Sequence, residues 1–219
     1  MPKISVITPS IRPSGLEVVR DSLANQTFDS FEWLVEFGFG KKMSFSTDMN
    51  KLLRRVKGEL VVSYQDYIKI PSDGLQKFWD AYQEDKKTFY TAPVGKTLDW
   101  KTVNWDWRYN GQKRKIDPPE WEMDWACAPL EAFYEIGGLD EDFDRGWSWD
   151  NVNIALRAEK AGYKFMVLPG NKAVAYDHDK VMEHPFRDKL ANNDTLSEIK
   201  RDDIEKGNWK LKYLEHDKK

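Results

Sequence analysis

Lys3-Ile4-Ser5-Val6-Ile7-Thr8-Pro9-Ser10 is the stretch whose reading decides the fold. Ile4 to Ile7 is a short apolar run that stops at Thr8-Pro9, as a strand does on entering a loop. Ser14-Gly15-Leu16-Glu17 then fits a capping box, and Leu16, Val19 and Leu23 recur at helical spacing. The alternation repeats. Glu32 to Val35 reads as a second strand ending at Gly38 and Gly40, and Met49, Leu52, Leu53 and Val56 mark an amphipathic helix stopped by Gly58. Leu60-Val61-Val62 is a third strand, broken by Tyr64-Gln65-Asp66, and Pro71-Ser72 opens a helix carrying Leu75, Phe78 and Tyr82.

Strands separated by helices of about 10–15 residues predict parallel pairing and an α/β sheet covered on both faces. Ligands of such sheets bind beyond the carboxyl ends of the strands. Residues Thr8 to Arg12, Glu36 to Lys41 and Tyr64 to Tyr67 are therefore expected to converge on one site.

Composition narrows the class. The 219 residues fall within the range of one domain, and 40% hydrophobic with 14% aromatic residues supplies a sizeable core. Basic and acidic groups number 34 and 37, a net charge of -3, which argues against a nucleic-acid binder needing a basic surface. A single cysteine, Cys127, excludes an internal disulfide framework and a four-thiolate zinc site; with no histidine nearby it is expected to be buried and inert. No apolar run approaches the ~20 residues that span a bilayer, and Met1 to Ile7 lacks the pattern of a signal peptide. The expected location is the cytoplasm, with peripheral contact at the membrane where an acceptor demands it.

The second half is less periodic. Residues 95–126 hold Trp100, Trp105, Trp107, Trp121 and Trp125 around Pro118-Pro119, and read as irregular strands and loops. A helix near Leu130–Ile136, Gly137-Gly138, an acidic loop from Asp140 to Asp144, a helix over Val152 to Ala161 and a strand at Phe165 to Leu168 follow. From residue 186 the chain is charge-rich with sparse apolar positions, which suggests a helical tail lying on the domain surface. The expected organisation is one domain over 1–185, divided into halves 1–94 and 95–185, and a charged helical tail over 186–219.

Ile4-Ser5-Val6-Ile7-Thr8-Pro9-Ser10, the run Ser22-Leu23-Ala24-Asn25-Gln26-Thr27, and Asn50 eight residues before Gly58-Glu59 resemble the nucleotide-binding half of a family 2 glycosyltransferase of the GT-A fold. Gly137-Gly138-Leu139-Asp140-Glu141-Asp142-Phe143, then Trp149-Asp150-Asn151 to Ala158 and Gly162-Tyr163, is similar to that family's acceptor-side signature. The resemblance covers roughly residues 3–180, in the family's order.

The resemblance implies a nucleotide-sugar donor, a hydroxyl acceptor and a divalent cation, Mn²⁺ or Mg²⁺. The family's acidic cluster falls on Tyr64-Gln65-Asp66-Tyr67, where Asp66 keeps the carboxylate and resembles the metal-binding Asp; Gln65 lies beside it at the donor. His178 matches a place that often supplies a second ligand, with Asp177, Asp179 and His184 as substitutes, and a nitrogen–oxygen pair suits Mn²⁺. The cation would neutralise the charge developing on the leaving diphosphate.

An inverting transferase also needs a carboxylate to take the acceptor proton. The family's acidic pair aligns with Asp150-Asn151, so the second carboxylate is an amide here. Asp150 is then the base or the residue orienting the acceptor hydroxyl, with Asp124 and Glu122 as alternative bases. For the nucleotide, Thr8, Ser10, Arg12, Glu36, Lys41 and Asn50 are candidates. A carboxylate at Glu36 accepts from uracil or guanine, so it leaves UDP and GDP open. Trp125, Trp147 and Trp149 are candidates for stacking on the acceptor sugar.

The leading expectation is a glycosyltransferase working on a saccharide, lipid-linked or protein acceptor, by inversion. A catalytically idle nucleotide- or sugar-binding module of the same fold is the alternative, motivated by Tyr64 and Asn151. Nucleotidyl transfer is disfavoured, because Thr8 to Gly15 holds one glycine instead of a glycine-rich triphosphate loop. The oligomeric state, monomer or homo-oligomer, is not fixed by the sequence.

Overall fold

The computed structural model describes residues 1–38, 44–146, 148–177 and 192–215. In the first half, β1 (Ile4–Ser10), α1 (Pro13–Ala24), β2 (Phe31–Phe37), α2 (Phe45–Leu53) and β3 (Leu60–Tyr64) follow the predicted alternation. The short β4 (Ile68–Lys69) and α3 (Gly74–Glu84) complete it. Then come β5 (Thr88–Thr91), β6 (Val94–Thr97), β7 (Asn104–Trp105), β8 (Arg114–Lys115) and β9 (Trp125–Pro129). The chain continues through α4 (Leu130–Ile136), α5 (Asp150–Lys160), β10 (Lys164–Val167), β11 (Ala173–Tyr176) and α6 (Asp194–Glu205).

Seven strands form the main sheet in the order β2-β1-β3-β9-β5-β10-β8. The pairs β2/β1, β1/β3 and β5/β10 are parallel, and β9 runs antiparallel between β3 and β5. Only β9 and β8 oppose the common direction, so the sheet is mostly parallel, as the alternation predicts. A smaller sheet, β4-β11-β6-β7, holds the remaining described strands.

Alternate residues of the strands feed two cores. Ile7, Val61, Phe89, Ala126 and Ala128 face α2, α4 and α5 residues such as Leu52, Phe133 and Ile154. Ile4, Val6, Val62, Trp125 and Cys127 face Val19, Leu75 and Phe78 of α1 and α3. This explains the central place of β9. Trp125-Ala126-Cys127-Ala128-Pro129 is apolar on both faces, fits a central strand, and carries no period that separates it from loop. Cys127 is buried, and burial pushes its thiol well above the usual range.

Three local expectations change. The capping box at Ser14 does not form: α1 opens at Pro13 without a side-chain cap, and the Ser14 hydroxyl instead meets the Tyr67 hydroxyl. Gly58 does not stop α2, which ends at Leu53. A Cβ at residue 58 would lie 2.7 Å from the Ile4 carbonyl carbon, so this glycine permits close passage against β1. The segment after α6 is no surface tail at its end, because Leu214 is buried in the core and the Leu211 and Leu214 amides donate to Ile136 and Gly137 carbonyls. Gly137, at φ +80° after α4, has no room for a side chain: a Cβ would lie 1.9 Å from the Leu211 oxygen.

Candidate functional site

The carboxyl ends of β1 and β3 bring Ser10 and Asp66 together. Ser10 Oγ donates to Asp66 Oδ2 at 2.6 Å and accepts from the Arg12 amide at 3.0 Å. The approach is possible because residue 15 is glycine. A Cβ there would lie 2.8 Å from Asp66 Cβ and from the Tyr67 ring. Tyr67 takes a left-handed backbone at φ +59°, uncommon for an aromatic residue, and its carbonyl accepts from the Tyr176 amide at 2.9 Å. The end of β11 and the following Asp177, which is buried, therefore adjoin the Asp66–Tyr67 turn. Arg12 Nη2 is buried without a hydrogen-bond partner among the described residues, a donor left for an anion. Gln65 is exposed at the same turn, its amide donating to the Asp124 carbonyl at 3.0 Å.

Other donor-side candidates stand apart from this group. Thr8 is fully buried and its hydroxyl accepts the Trp33 indole N–H at 3.0 Å, a link within the sheet. Asn50 is fully buried too. Its amide donates to the Leu139 carbonyl and to Glu141, and its oxygen accepts from the Leu139 amide at 2.8 Å. It joins the two halves of the chain and is not available to a nucleotide. Glu36 lies on the α2 side of β2, between Lys51 at 3.6 Å and Arg55 at 3.3 Å. Asp48, which sequence reasoning missed, stands nearer Gly38 at the end of β2 and accepts from Ser44 and Lys51. Lys41 and His178 lie outside the described residues.

A second cluster is built around Arg108, a buried guanidinium. It makes a two-pronged pair with Asp124 at 2.9 and 3.0 Å, bonds Asp106 at 2.6 Å and donates to Thr91 Oγ1. The preceding residues of β9 are held by side chains from β3 and β5: Ser63 donates to the Met123 carbonyl and Thr91 to the Glu122 carbonyl. The start of α5 then closes on them. Asn151 Nδ2 donates to the Trp121 carbonyl at 3.1 Å and to Glu122 Oε2 at 3.3 Å.

Two carboxyls here titrate above their ordinary range. Burial pushes Glu122 up to about 7, with the charges of Asp124, Asp106 and Asp150 adding to it and Arg108 opposing. Since Glu122 as a residue reaches solvent, crowding by like charge is a real share of that shift. Asp150 is partly accessible, but its carboxyl is desolvated and rises to about 6 although it accepts from the Asp150 and Asn151 amides.

The tryptophans divide. Trp125 is fully buried between Tyr64 and Phe78, with ring centroids at 5.1 and 4.6 Å, and its indole N–H donates to the Asn171 carbonyl. It packs the core and cannot stack on a sugar. Trp149, in a left-handed conformation before α5, is held by the tail: its N–H donates to Asp194 at 2.6 Å and Arg201 covers its ring. Trp147 lies outside the described residues.

Among the described residues, no group of three or more His, Cys, Asp or Glu stands ready to hold a metal ion. Asp66 offers one oxygen donor at the ligand edge.

No protein-family model matches the chain, and no curated protein matches it. Solved structures do. The structure of Staphylococcus aureus TarS residues 1–349 in complex with UDP aligns with a TM-score of 0.61 at 14% identity, over 80% of this chain and 60% of that one. A second TarS structure aligns at 0.62 and 13% identity, over 80% of this chain and 36% of that one. The fold is the GT-A type. The chain thus spans well under two thirds of the proteins whose fold it shares.

Proposed function

We propose that this protein is a glycosyltransferase, moving a sugar from a UDP- or GDP-linked donor to a hydroxyl acceptor with inversion at the anomeric carbon. The observation that carries the reading is the Ser10–Asp66 contact at the carboxyl ends of β1 and β3, beside Arg12, in a fold shared with a UDP-bound protein. The edge is where an α/β sheet receives a nucleotide.

In this reading Ser10, Gln65 and Arg12 face the nucleotide and its diphosphate, and Asp66 orients that diphosphate. A divalent cation, Mn²⁺ or Mg²⁺, bound between Asp66 and phosphate oxygens would offset the charge of the leaving group. His178 is the proposed second ligand. One carboxylate is a weak site by itself, so cation and nucleotide are expected to bind together. On the acceptor side, Asp150 and Glu122 are the carboxyls beside the incoming hydroxyl. The acceptor is a saccharide, a lipid-linked saccharide or a protein. No helix of the described residues is long and apolar enough to cross a membrane, so a lipid-linked acceptor would be met at the membrane surface.

Asn151 favours a second reading, an idle nucleotide-binding module, because an amide stands where the resemblance places a carboxylate. Calorimetric titration of UDP and of GDP, with and without Mn²⁺, tests both. The transferase reading expects one nucleotide to bind in a metal-dependent way and Asp66→Ala to weaken it at least about tenfold. Metal-independent binding that survives Asp66→Ala, with no donor turned over, would leave the idle module.

A further inference from the structure

Four carboxylates gather where β5, β9 and the start of α5 meet, and two have their oxygens committed. Asp106 accepts from the Val94 amide and from the Arg108 amide and guanidinium. Asp124 meets Arg108 with both oxygens and accepts from the Trp125 amide as well. Asp150 opens α5, where the helix start favours an acid, and its carboxyl is desolvated. Glu122 differs. It is exposed, and among the described residues its one hydrogen bond comes from the Asn151 side chain.

We propose that Glu122 is the base that accepts the acceptor proton, and that Asn151 is the residue that positions it. The inference deepens the transfer reading and rests on it. The backbone at Glu122 is fixed on three sides, by Thr91 at its own carbonyl, by Ser63 at the next and by Asn151 at the one before. A side chain on such a mount keeps its direction while its carboxylate stays open to solvent and to an incoming hydroxyl. The amide at residue 151 is then no lost base. Its N–H₂ holds the Glu122 carboxylate, which a carboxylate at the same place would repel.

In the step, the acceptor O–H bond breaks and its proton passes to a Glu122 carboxylate oxygen. The acceptor oxygen bonds to the anomeric carbon, while the bond from that carbon to the diphosphate breaks and the nucleoside diphosphate leaves with the electron pair. Glu122 must be ionised beforehand. The charged groups facing it are Asp124, Asp106 and Asp150, which raise its pKa, and Arg108, which lowers it. A base poised near the working pH is suited to proton removal.

The experiment measures nucleoside diphosphate release from a panel of UDP- and GDP-linked hexoses, with water as acceptor, between pH 5 and 9, alongside calorimetric affinity for UDP and GDP. The wild-type rate is expected to rise through an acid limb near pH 7. Glu122→Gln is expected to lower the maximal rate about 100-fold or more, erase that limb and leave nucleotide affinity in place, with Glu122→Asp restoring part of the rate. Asn151→Asp should move the limb to higher pH by adding a like charge, and Asp150→Asn should move it to lower pH by removing one. A Glu122→Gln protein within about threefold of wild type with its limb intact would overturn the assignment. So would loss of the limb in Asp150→Asn alone. A wild-type protein that binds neither nucleotide and releases neither would remove the transfer reading, and this inference with it.

Discussion

The two edges that meet at the candidate site are built in opposite ways. At the carboxyl ends of β1 and β3, Asp66 lies among hydroxyls, amides and a glycine that makes room for it, with the buried Asp177 adjoining. Ahead of β9, Asp106 and Asp124 pair with the buried Arg108, and Glu122 lies close enough to feel their charges and that of Asp150. The first holds a buried guanidinium nitrogen, Arg12 Nη2, with no partner among the described residues. The second sets one guanidinium against four carboxyls, an excess of acid that helps to raise Glu122. The difference teaches that carboxylates cannot be ranked by residue type: Glu122 and Asp124 are two residues apart, and one is open while the other is clamped.

Arg108→Leu should break this contrast most strongly. It strands Asp106 and Asp124, and removing one partner of a buried pair costs about 3–5 kcal/mol. Urea unfolding would measure it. Ser10→Ala at the Asp66 edge should cost only about 1 kcal/mol in the same assay. Equal losses would show that the Arg108 cluster is no more a charge network than the Asp66 edge.

Gly137→Ala probes the joint that brings the acceptor half and the chain's final segment together. The added Cβ would collide with the Leu211 oxygen at a left-handed position, and strain plus overpacking should cost about 2–4 kcal/mol. A melting temperature unchanged from wild type would mean that this segment gives way freely. Asn50→Ala should cost about 1–3 kcal/mol, since it leaves the Leu139 amide and carbonyl without their partner. Its effect belongs to stability, so calorimetric nucleotide affinity of the folded variant should match wild type. A selective loss of affinity would return Asn50 to the donor site.

A further effect concerns pH. The Asp150 carboxyl is raised to about 6 in the folded protein, above its value of about 3.9 in the unfolded chain. Between those values the folded state holds the extra proton, so this group's contribution favours folding at low pH and is lost as pH rises through about 6. With its partial exposure discounted, the difference is about 1–2 kcal/mol. Comparing urea stability of wild type and Asp150→Asn at pH 5 and pH 8 isolates it. The wild type should lose more than the variant at pH 8, and a constant gap would contradict the desolvated placement.

Much of the donor half is legible in the sequence because its signals are local. Apolar runs of four residues, helical spacing of Leu16, Val19 and Leu23, and breaks at Pro9 and Asp66 place the strands and the ligand edge without knowledge of contacts. The acceptor half resists because its signals are long-range. β9 is apolar on both faces and so has no period, and the left-handed Tyr67 and Trp149 have no local signature. The Arg108 clamp joins residues 16 apart in sequence, from a short turn and the threshold of a strand.

The sequence by itself determined a mostly parallel α/β frame, with a ligand edge expected beyond the carboxyl ends of β1, β2 and β3, since hydrophobic period and turn chemistry act through near neighbours. The tertiary structure alone decided that Trp125 and Asn50 serve packing, that β9 runs against its neighbours, and that Arg108 clamps Asp106 and Asp124. Burial and hydrogen-bond commitment depend on which distant atoms arrive, and residue type and spacing do not encode that arrival.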